Sequence, residues 1–304
     1  MYAIRTENLT RKFGDVTAVD GLCLEIRAGE LFGLVGPDGA GKSTVMRLLS
    51  SILDPSSGDA WVNGLHTVRD ADTIKDSIGY MSQRFGLYPD LSVMENLDFY
   101  ADIYGVRGST RSSHVKQLLE FSGLAPFTKR LAGNLSGGMK QKLGLACSLV
   151  HTPKILFLDE PTNGVDPVSR RDFWKILHEL EGEGVTIFVS TCYLDEAERC
   201  DRLALMDNGK LLATGTPGEV RGHMKESVID VVTSSARKAL EILRAKFTDS
   251  TVSLFGDRVH ITTSDPARVM SASDKMLKQA GIDVISIQKE SPSLEDVFIS
   301  IGRN

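Results

Sequence analysis

The fold is decided by residues 31–44, which read LFGLVGPDGAGKST. The first five residues form an apolar run bounded by Gly29 and Gly36, which is typical of a strand buried on both faces. Residues 42–53 then carry apolar side chains at i, i+3, i+4 and i+7, which predicts an amphipathic helix with Ile52 on its buried face. A strand, a glycine-rich turn and a helix therefore follow one another directly.

The turn matches the phosphate-binding pattern G-x-x-x-x-G-K-[ST]. Its glycines let the backbone curl, so that its N–H groups and the helix N-terminus can hold phosphate oxygens. In this chemistry Lys42 contacts the β- and γ-phosphates, and the hydroxyl of Ser43 binds Mg²⁺. The predicted nucleotide-binding residues of this segment are Gly36, Pro37, Asp38, Gly39, Ala40, Gly41, Lys42, Ser43 and Thr44.

A second buried run ends in two carboxylates. Residues 155–160 read ILFLDE, which is the Walker B arrangement. Asp159 is predicted to hold Mg²⁺ directly or through water, and Glu160 to orient or deprotonate the attacking water. A strand followed by an acidic turn is common when it stands alone. The upstream phosphate-binding turn favours the catalytic interpretation here.

Three further segments complete a resemblance to a known family. Residues 80–84 read YMSQR, residues 135–141 read LSGGMKQ, and residues 164–166 read GVD. In this order, and together with the two anchors, they resemble the ATP-binding cassette (ABC) ATPases over about residues 3–220. The resemblance implies an α/β P-loop cassette with an inserted helical subdomain, which binds ATP and Mg²⁺.

The resemblance assigns a role to each segment. Gln83 would contact Mg²⁺ or the attacking water. The LSGG signature would present hydroxyl and amide donors at a helix N-terminus to the γ-phosphate bound by a partner cassette. The signature residues are Leu135, Ser136, Gly137, Gly138 and Met139.

Two more residues carry alternatives. Phe13 would stack on adenine, as an aromatic near this position does in the family, or would be an ordinary core residue. Asp166 matches the aspartate that contacts the other subunit. It could equally cap a helix that Pro167 begins, and both roles can hold together.

Two positions depart from the family pattern. Cys192 stands where the family usually has a histidine that bonds the γ-phosphate. A thiol is a weak donor without positive charge, so the lost contact costs about 1.5–3 kcal/mol, or roughly 10- to 150-fold in rate. Asp38 stands where Asn is commoner. Both departures concern the chain's own nucleotide site, so we expect this site to hydrolyse ATP weakly. The signature is intact, so we expect the chain to complete a competent site on a partner cassette.

The pattern along the chain predicts two domains. Strands and helices alternate up to residue 220, which indicates an α/β cassette with a mainly parallel sheet and a helical subdomain at about residues 88–150. Residues 221–304 follow the order β-α-β-β-α-β and end in a helix at 294–301. We therefore expect an ATP-binding domain at 1–220 and a small ferredoxin-like α+β domain at 221–304.

Composition limits the partners. The formal charge of the 304 residues is −5, so a basic field for holding nucleic acid is missing. Four scattered cysteines without a CxxC pattern predict neither disulfides nor a zinc site. The polar first residues and the lack of a long apolar run predict neither a signal peptide nor a membrane span.

The end of the chain narrows the resemblance. Residues 293–298 read SLEDVF, as in exporter ATPases of the daunorubicin-resistance and multidrug-efflux type. The whole pattern looks closest to the first half of tandem-cassette bacterial efflux ATPases. This implies a second cassette, in a homodimer, a heterodimer or a tandem protein, and an ABC-2 type membrane permease. A helix of that permease would enter a groove lined by residues 85–89.

The implied location is the cytoplasmic face of the inner or plasma membrane, where the chain would be peripheral. Two alternatives stay open at this point. One is a regulatory cassette that senses ATP with negligible turnover. The other is a soluble cassette that acts on ribosomes or DNA, which the acidic charge disfavours.

Overall fold

The computed structural model of the protein describes residues 2–84, 86–224 and 226–301. The chain divides into two compact units, residues 1–216 and 217–304. Each unit has hydrophobic clusters made only of its own residues. In the described residues, no helix has the length and the apolar character needed to cross a membrane.

Ten strands and seven α-helices lie in the described part of the first unit. The strands are β1 (Tyr2–Phe13), β2 (Val16–Arg27), β3 (Leu31–Val35), β4 (Ser57–Val62), β5 (Leu65–His66), β6 (Ile78–Met81), β7 (Ile155–Asp159), β8 (Thr186–Thr191), β9 (Arg202–Asp207) and β10 (Lys210–Gly215). The helices are α1 (Lys42–Leu49), α2 (Ala71–Ser77), α3 (Val93–Ile103), α4 (Gly108–Phe121), α5 (Gly137–Leu149), α6 (Pro167–Gly182) and α7 (Leu194–Ala197).

The central sheet has six strands in the order β10-β9-β3-β8-β7-β6. All neighbours are parallel except the edge pair of β10 and β9. Every residue of β3 and β7 is buried, as the continuous apolar runs predict. The α/β class with a mainly parallel sheet is confirmed. Parallel pairing also brings the carboxyl ends of β3, β7 and β8 to one edge, where the site lies.

Helix α1 packs in a cluster with the central sheet and a second, antiparallel sheet of order β2-β1-β4-β5. The expected helix to residue 53 is wrong, because α1 ends at Leu49. Ser51 has a left-handed φ of 58°, and Ile52 is 57% exposed. Serine side chains bond to nearby backbone and so favour helix ends over helix interiors.

Helices α3, α4 and α5 pack on one another and against α6 and the central sheet in a shared cluster. Ser92 caps α3 in a capping box, in which its hydroxyl accepts from the Glu95 N–H and the Glu95 carboxylate accepts from the Ser92 N–H. The Ser92 donors hold the pKa of Glu95 below its ordinary value. These helices form the mainly helical region that the sequence indicates.

The second unit contains four strands and four helices in its described part. They are α8 (Pro217–Gly222), β11 (Ser227–Thr233), α9 (Ala236–Lys246), β12 (Thr251–Phe255), β13 (Arg258–Thr263), α10 (Pro266–Gln279), β14 (Val284–Glu290) and α11 (Leu294–Ile301). The strand order is β12-β13-β11-β14, and all neighbours are antiparallel. This is the order of a ferredoxin-like sheet. Helices α9 and α10 pack with one face of the sheet through Val231, Leu243 and Val269.

A buried polar cluster lies between α11 and the sheet. His260 Nδ1 is 3.3 Å from Asp296 Oδ1, and His260 Nε2 is 3.7 Å from Asp230 Oδ1. Arg258 Nη1 is 3.0 Å from the second oxygen of Asp230. The ring of Phe255 stacks on His260 with 4.5 Å between the ring centroids. Helix α11 is therefore joined to the strands β11 and β13 by charged groups.

Candidate functional site

The glycine-rich loop between β3 and α1 is held tightly by its neighbours. A Cβ on Gly36 would lie 2.1 Å from the carbonyl oxygen of Met206, and a Cβ on Gly41 would lie 2.2 Å from that of Ala18. Gly41 also has a φ of 105°, which L side chains rarely adopt. These contacts explain why the loop needs glycine at both positions. They leave backbone amides at the start of α1 to face a ligand.

Lys42 is buried with 3% of its surface exposed. Its Nζ donates to the carbonyl oxygens of Gly36 at 2.7 Å and Pro37 at 2.9 Å. It also lies 3.1 Å from Glu160 Oε1. An ammonium group has three donors, so every donor of Lys42 has an oxygen partner. Phosphate oxygens can take the place of these partners, and the pocket therefore fits a phosphate chain.

Ser43 and Asp159 are brought together, as the sequence predicts. The Ser43 hydroxyl donates to Asp159 Oδ1 at 3.0 Å, and the Ser190 hydroxyl donates to the same oxygen at 2.8 Å. Asp159 is only 3% exposed. A hydroxyl and a carboxylate are oxygen ligands of the kind that Mg²⁺ prefers. The donor set therefore fits Mg²⁺ held by Ser43 and Asp159.

Glu160 is the most constrained residue of the site. Its φ of 46° is left-handed, which costs about 1–3 kcal/mol for a non-glycine residue. Its backbone N–H donates to the Ser190 hydroxyl at 2.9 Å. Its Oε2 accepts from Gln83 Nε2 at 2.9 Å and Asn163 Nδ2 at 3.3 Å. The carboxylate is thus fixed at the edge of the sheet beside Lys42.

Three of these contacts add to the sequence interpretation. Gln83 bonds to Glu160 in the structure, and within the described residues no hydrogen bond joins it to Ser43 or Asp159, so its predicted metal role stays a prediction. Ser190 and Asn163 were missed. Ser190 is the penultimate residue of β8, and Asn163 follows Glu160 in the turn, but a lone Ser or Asn carries no recognisable signal.

Cys192 lies half-buried just after β8. Burial raises the pKa of its thiol, the charges of Glu160 and Asp38 raise it further, and the charge of Lys42 opposes them. The side chain is therefore a neutral thiol close to Glu160 and Lys42. Position 192 carries no positive charge, as the sequence implies.

The LSGG signature forms the start of α5. Ser136 is the N-cap, and its hydroxyl accepts from the Met139 N–H at 3.3 Å. Ser136 and Gly137 are exposed, whereas Leu135 is buried. A Cβ on Gly138 would lie 2.6 Å from the Cβ of Ser169 on α6. In the described residues no hydrogen bond joins this segment to the glycine-rich loop, and the exposed Ser136 and Gly137 are accessible to another molecule.

Asp166 is the N-cap of α6. Its Oδ1 accepts from the backbone N–H groups of Val168 at 3.1 Å and Ser169 at 3.0 Å. The Ser169 N–H is the main reason that the pKa of Asp166 lies below its ordinary value. The helix-cap role of Asp166 is present in the structure, and a contact to another subunit stays a prediction.

Phe13 lies at the end of β1 and is 47% exposed. The alternative that it is an ordinary core residue is therefore wrong, since nearly half of its surface faces solvent. The guanidinium of Arg11 lies 4.6 Å from the centroid of its ring. An exposed aromatic face is available for a base to stack on.

An aromatic surface lies near the expected permease groove. Phe85 is outside the described residues. Tyr88 is 45% exposed and lies 4.5 Å from Phe99 between ring centroids. The hydroxyl of Tyr100 donates to the Gly86 carbonyl at 2.7 Å. These contacts fix the loop after Gln83 on α3.

A glycine loop between a buried strand and a helix, a buried lysine and a strand ending in two carboxylates together define a P-loop nucleotide-binding protein. The family model described as ABC transporter matches residues 19–163. Relatives more than 30% identical match this chain over nearly their whole length. The chain belongs to the ABC transporter family.

Two relatives show the range of similarity. The probable multidrug ABC transporter ATP-binding protein YbhF of Escherichia coli (strain K12) is 46% identical over 290 residues, which cover 94% of this chain and 49% of that protein. The daunorubicin/doxorubicin resistance ATP-binding protein DrrA of Streptomyces peucetius is 34% identical, over 98% of this chain and 92% of that protein. The chain spans about half the length of the first relative.

Solved structures show the same fold. An ATP-binding cassette of an ABC transporter in its ADP conformation has a TM-score of 0.66 at 27% identity, over 72% of this chain and 92% of that one. A cassette solved as a dimer after hydrolysis, bound to ADP and Pi, has a TM-score of 0.64 at 26% identity, over 70% and 98%. The P-loop cassette fold expected from the sequence is confirmed.

Proposed function

We propose that the chain is the ATP-binding and ATP-hydrolysing subunit of an ABC-type exporter. The observation that carries this proposal is the convergence of Lys42, the Ser43–Asp159 pair and Glu160 at one edge of the parallel sheet. The names of the relatives support the transport part, since one is called a multidrug transporter protein and another a drug-resistance protein. The acidic net charge of −5 disfavours the alternative of a cassette that acts on ribosomes or DNA.

Binding of ATP uses groups that are already in place. Phosphate oxygens replace the carbonyls of Gly36 and Pro37 and the carboxylate of Glu160 as acceptors for Lys42. The amides at the start of α1 donate to the same phosphates. Ser43 and Asp159 would hold Mg²⁺, which would neutralise phosphate charge when bound. The ring of Phe13 stacks on the adenine.

Hydrolysis then depends on Glu160. Once Lys42 turns to the phosphates, Glu160 Oε1 is free to accept a hydrogen bond from the attacking water and to orient it. Gln83 and Asn163 keep the carboxylate in place through its other oxygen. The γ-phosphate needs donors that this chain does not aim at its own loop, and Ser136 and the adjacent amides of a second cassette supply them. We therefore propose a head-to-tail dimer.

Cys192 makes the chain's own site slow. A neutral thiol cannot give the charge-assisted bond that a histidine gives. We expect Cys192→His to raise ATP turnover of the dimer about tenfold or more. Cys192→Ser is the matched control, because a hydroxyl is also uncharged, and it should leave the rate within about threefold.

Phosphate release with saturating ATP measures the Cys192 effect. A parent rate already equal to that of the histidine variant would contradict the weak-site proposal. If neither the parent nor Cys192→His shows detectable turnover while both still bind ATP, the regulatory alternative is favoured. A parent chain that shows no Mg²⁺-dependent ATP binding would contradict the whole proposal.

The partners follow from the same family. We propose a second cassette and an ABC-2 type permease, with the chain on the cytoplasmic face of the membrane that holds the permease. The open signature and the exposed aromatic surface around Tyr88 support these two contacts. Purification of the full complex from membranes, with partners identified by mass, tests both. A dimer mate found without any membrane protein would contradict the permease assignment.

A further inference from the structure

Glu196 is a buried carboxylate that the chemistry described above does not use. It lies on α7 and is 1% exposed. Its Oε1 accepts from the Thr162 hydroxyl at 2.6 Å and from Arg170 Nε at 3.0 Å. Its Oε2 accepts from the Thr191 hydroxyl at 2.7 Å. A desolvated charge is therefore satisfied by partners on separate segments of the chain.

Each of those segments carries a residue of the nucleotide site. Thr162 lies in the turn that begins at Glu160. Arg170 lies in the first turn of α6, and its backbone N–H donates to the carbonyl of Asp166 at 2.9 Å. Thr191 ends β8 and directly precedes Cys192. Glu196 thus connects the Walker B turn, the Asp166 turn and the segment that carries position 192.

Arg170 extends this connection to the other side of Cys192. Its guanidinium lies 4.1 Å from the centroid of the Tyr193 ring and 3.4 Å from Asp195. The Tyr193 N–H donates to the Thr191 hydroxyl at 3.0 Å. Both neighbours of Cys192 are therefore held by the pair of Glu196 and Arg170.

Stability alone is a poor explanation for such a pair. A buried ion pair is often no more stabilising than well-packed apolar residues of the same volume. Its directional bonds do fix the segments that converge on it. That effect matters where a side chain must meet a γ-phosphate within hydrogen-bond distance.

We propose that Glu196 is a positioning residue for the nucleotide site, which fixes position 192 relative to the turns of Glu160 and Asp166. The effect of Glu196 on the rate of ATP turnover rests on the proposed function. Its effect on the position of residue 192 is independent of that function, because this position can be measured without nucleotide.

The thiol of Cys192 reports its own position. Cys147 and Cys200 are buried and Cys23 is exposed, so the full chain with Cys23→Ser keeps Cys192 as its accessible thiol. A small aromatic disulfide reagent measures the reaction rate. We expect Glu196→Ala to raise this rate about tenfold, because the segment 191–193 opens more often. Glu196→Gln keeps the shape and one acceptor, and should stay within about twofold of the parent.

Glu30 provides the matched control. It is also a buried carboxylate, it lies 3.1 Å from Arg202, and it sits at the opposite end of the central sheet. Glu30→Ala should leave the Cys192 rate unchanged even if it lowers the melting temperature. Equal rates for the parent, Glu196→Ala and Glu30→Ala would overturn the proposal, and so would equal increases in both variants.

A folding failure of Glu196→Ala would appear as reaction of Cys147 and Cys200. In that case Thr191→Val, which removes the bonds of the Thr191 hydroxyl to Glu196 and to the Tyr193 N–H, should also raise the Cys192 rate. No change in a folded Thr191→Val chain would also overturn the proposal.

A rate measurement separates this inference from the weak-site proposal. The gain expected from Cys192→His should disappear when Glu196→Ala is added, because the histidine is no longer aimed, and Glu196→Gln should restore it. An equal gain with and without Glu196 would contradict the positioning role. If Cys192→His raises turnover in neither background, only the weak-site proposal is contradicted. The thiol reaction rates would still test the positioning role of Glu196.

Discussion

Lys42 and Glu160 are buried beside one another, and this pairing determines what each can do. Lys42 has no donor to spare, and Glu160 Oε1 is occupied by the ammonium group. Catalysis needs the two to separate, so that Lys42 bonds to phosphate and Glu160 to water. Binding and chemistry can therefore be tested by different substitutions.

We expect Glu160→Gln to keep Mg²⁺-dependent ATP binding and to lower turnover about 10²- to 10⁴-fold. The amide keeps the size of the side chain but cannot take a proton. Phosphate release together with nucleotide binding by the same sample checks this.

Glu30→Gln is the control for Glu160→Gln, since it removes a buried carboxylate away from the loop. Its turnover should match the parent. A Glu160→Gln chain with parent-like turnover would show that another group activates the water.

Much of the site follows from the sequence at this scale, because the motif spacings fix which residues end the strands. The Ser43–Asp159 bond is an example. The contacts of Ser190, Asn163 and Glu196 could not be predicted. They depend on how β8 and α7 pack beside β7, and common polar residues give no local sign of that.

Among the helices, the sequence predicted the correct bounds only where neighbouring residues do not end the helix early. Helix α11 has the bounds 294–301 that the sequence predicts. Helix α1 stops early because Ser50 and Ser51 end it, although apolar spacing continues to Ile52. A periodic pattern shows where a helix could continue, and it does not show that neighbouring polar groups will let it.

Helix α11 provides a pH test. The Asp296 carboxylate raises the pKa of His260 above 6.5, with burial opposing and Asp230 and Glu290 adding to it. Burial raises the pKa of Asp296, but hydrogen bonds from His260 and Ser293 outweigh it and hold that pKa below its ordinary value. A histidine whose pKa is higher in the folded than in the unfolded state adds its full stability below the unfolded-state pKa. That stability is lost as pH rises through the folded-state pKa. A carboxyl group whose pKa is lower in the folded state adds its full stability above the unfolded-state pKa. That stability is lost as pH falls through the folded-state pKa.

We therefore expect the second unit to be most stable between the ordinary pKa values of an aspartate and a histidine, and to lose stability as pH rises through the raised pKa of His260. Denaturant midpoints across that rise in pH measure the loss. His260→Gln should flatten the dependence, whereas His223→Gln, an exposed histidine, should leave it in place. A parent midpoint that does not fall on the alkaline side would contradict the role of His260.

At the scale of the whole molecule, every residue assigned to the nucleotide site lies in residues 1–216, whose clusters contain no residue of the second unit. The order of motifs made this unit's fold predictable. The division itself falls just before Pro217, a few residues ahead of the expected 220/221 boundary, because helix α8, which begins at Pro217, belongs to the second unit.

We expect a fragment of residues 1–216 to bind Mg-ATP with an affinity within about threefold of the full chain. Titration with a fluorescent ATP analogue measures both, and Lys42→Ala in the full chain gives the reference for a lost site. A fragment that unfolds cooperatively but binds no nucleotide would show that residues beyond 216 take part.

The satisfied state of Lys42 has one more consequence. A lone inorganic phosphate or sulfate ion must displace two carbonyl oxygens and a carboxylate, yet it brings no second phosphate, base or ribose to compensate. Such ions should therefore compete poorly with ATP. The resting pocket thereby selects long polyphosphates over small anions before any reaction begins.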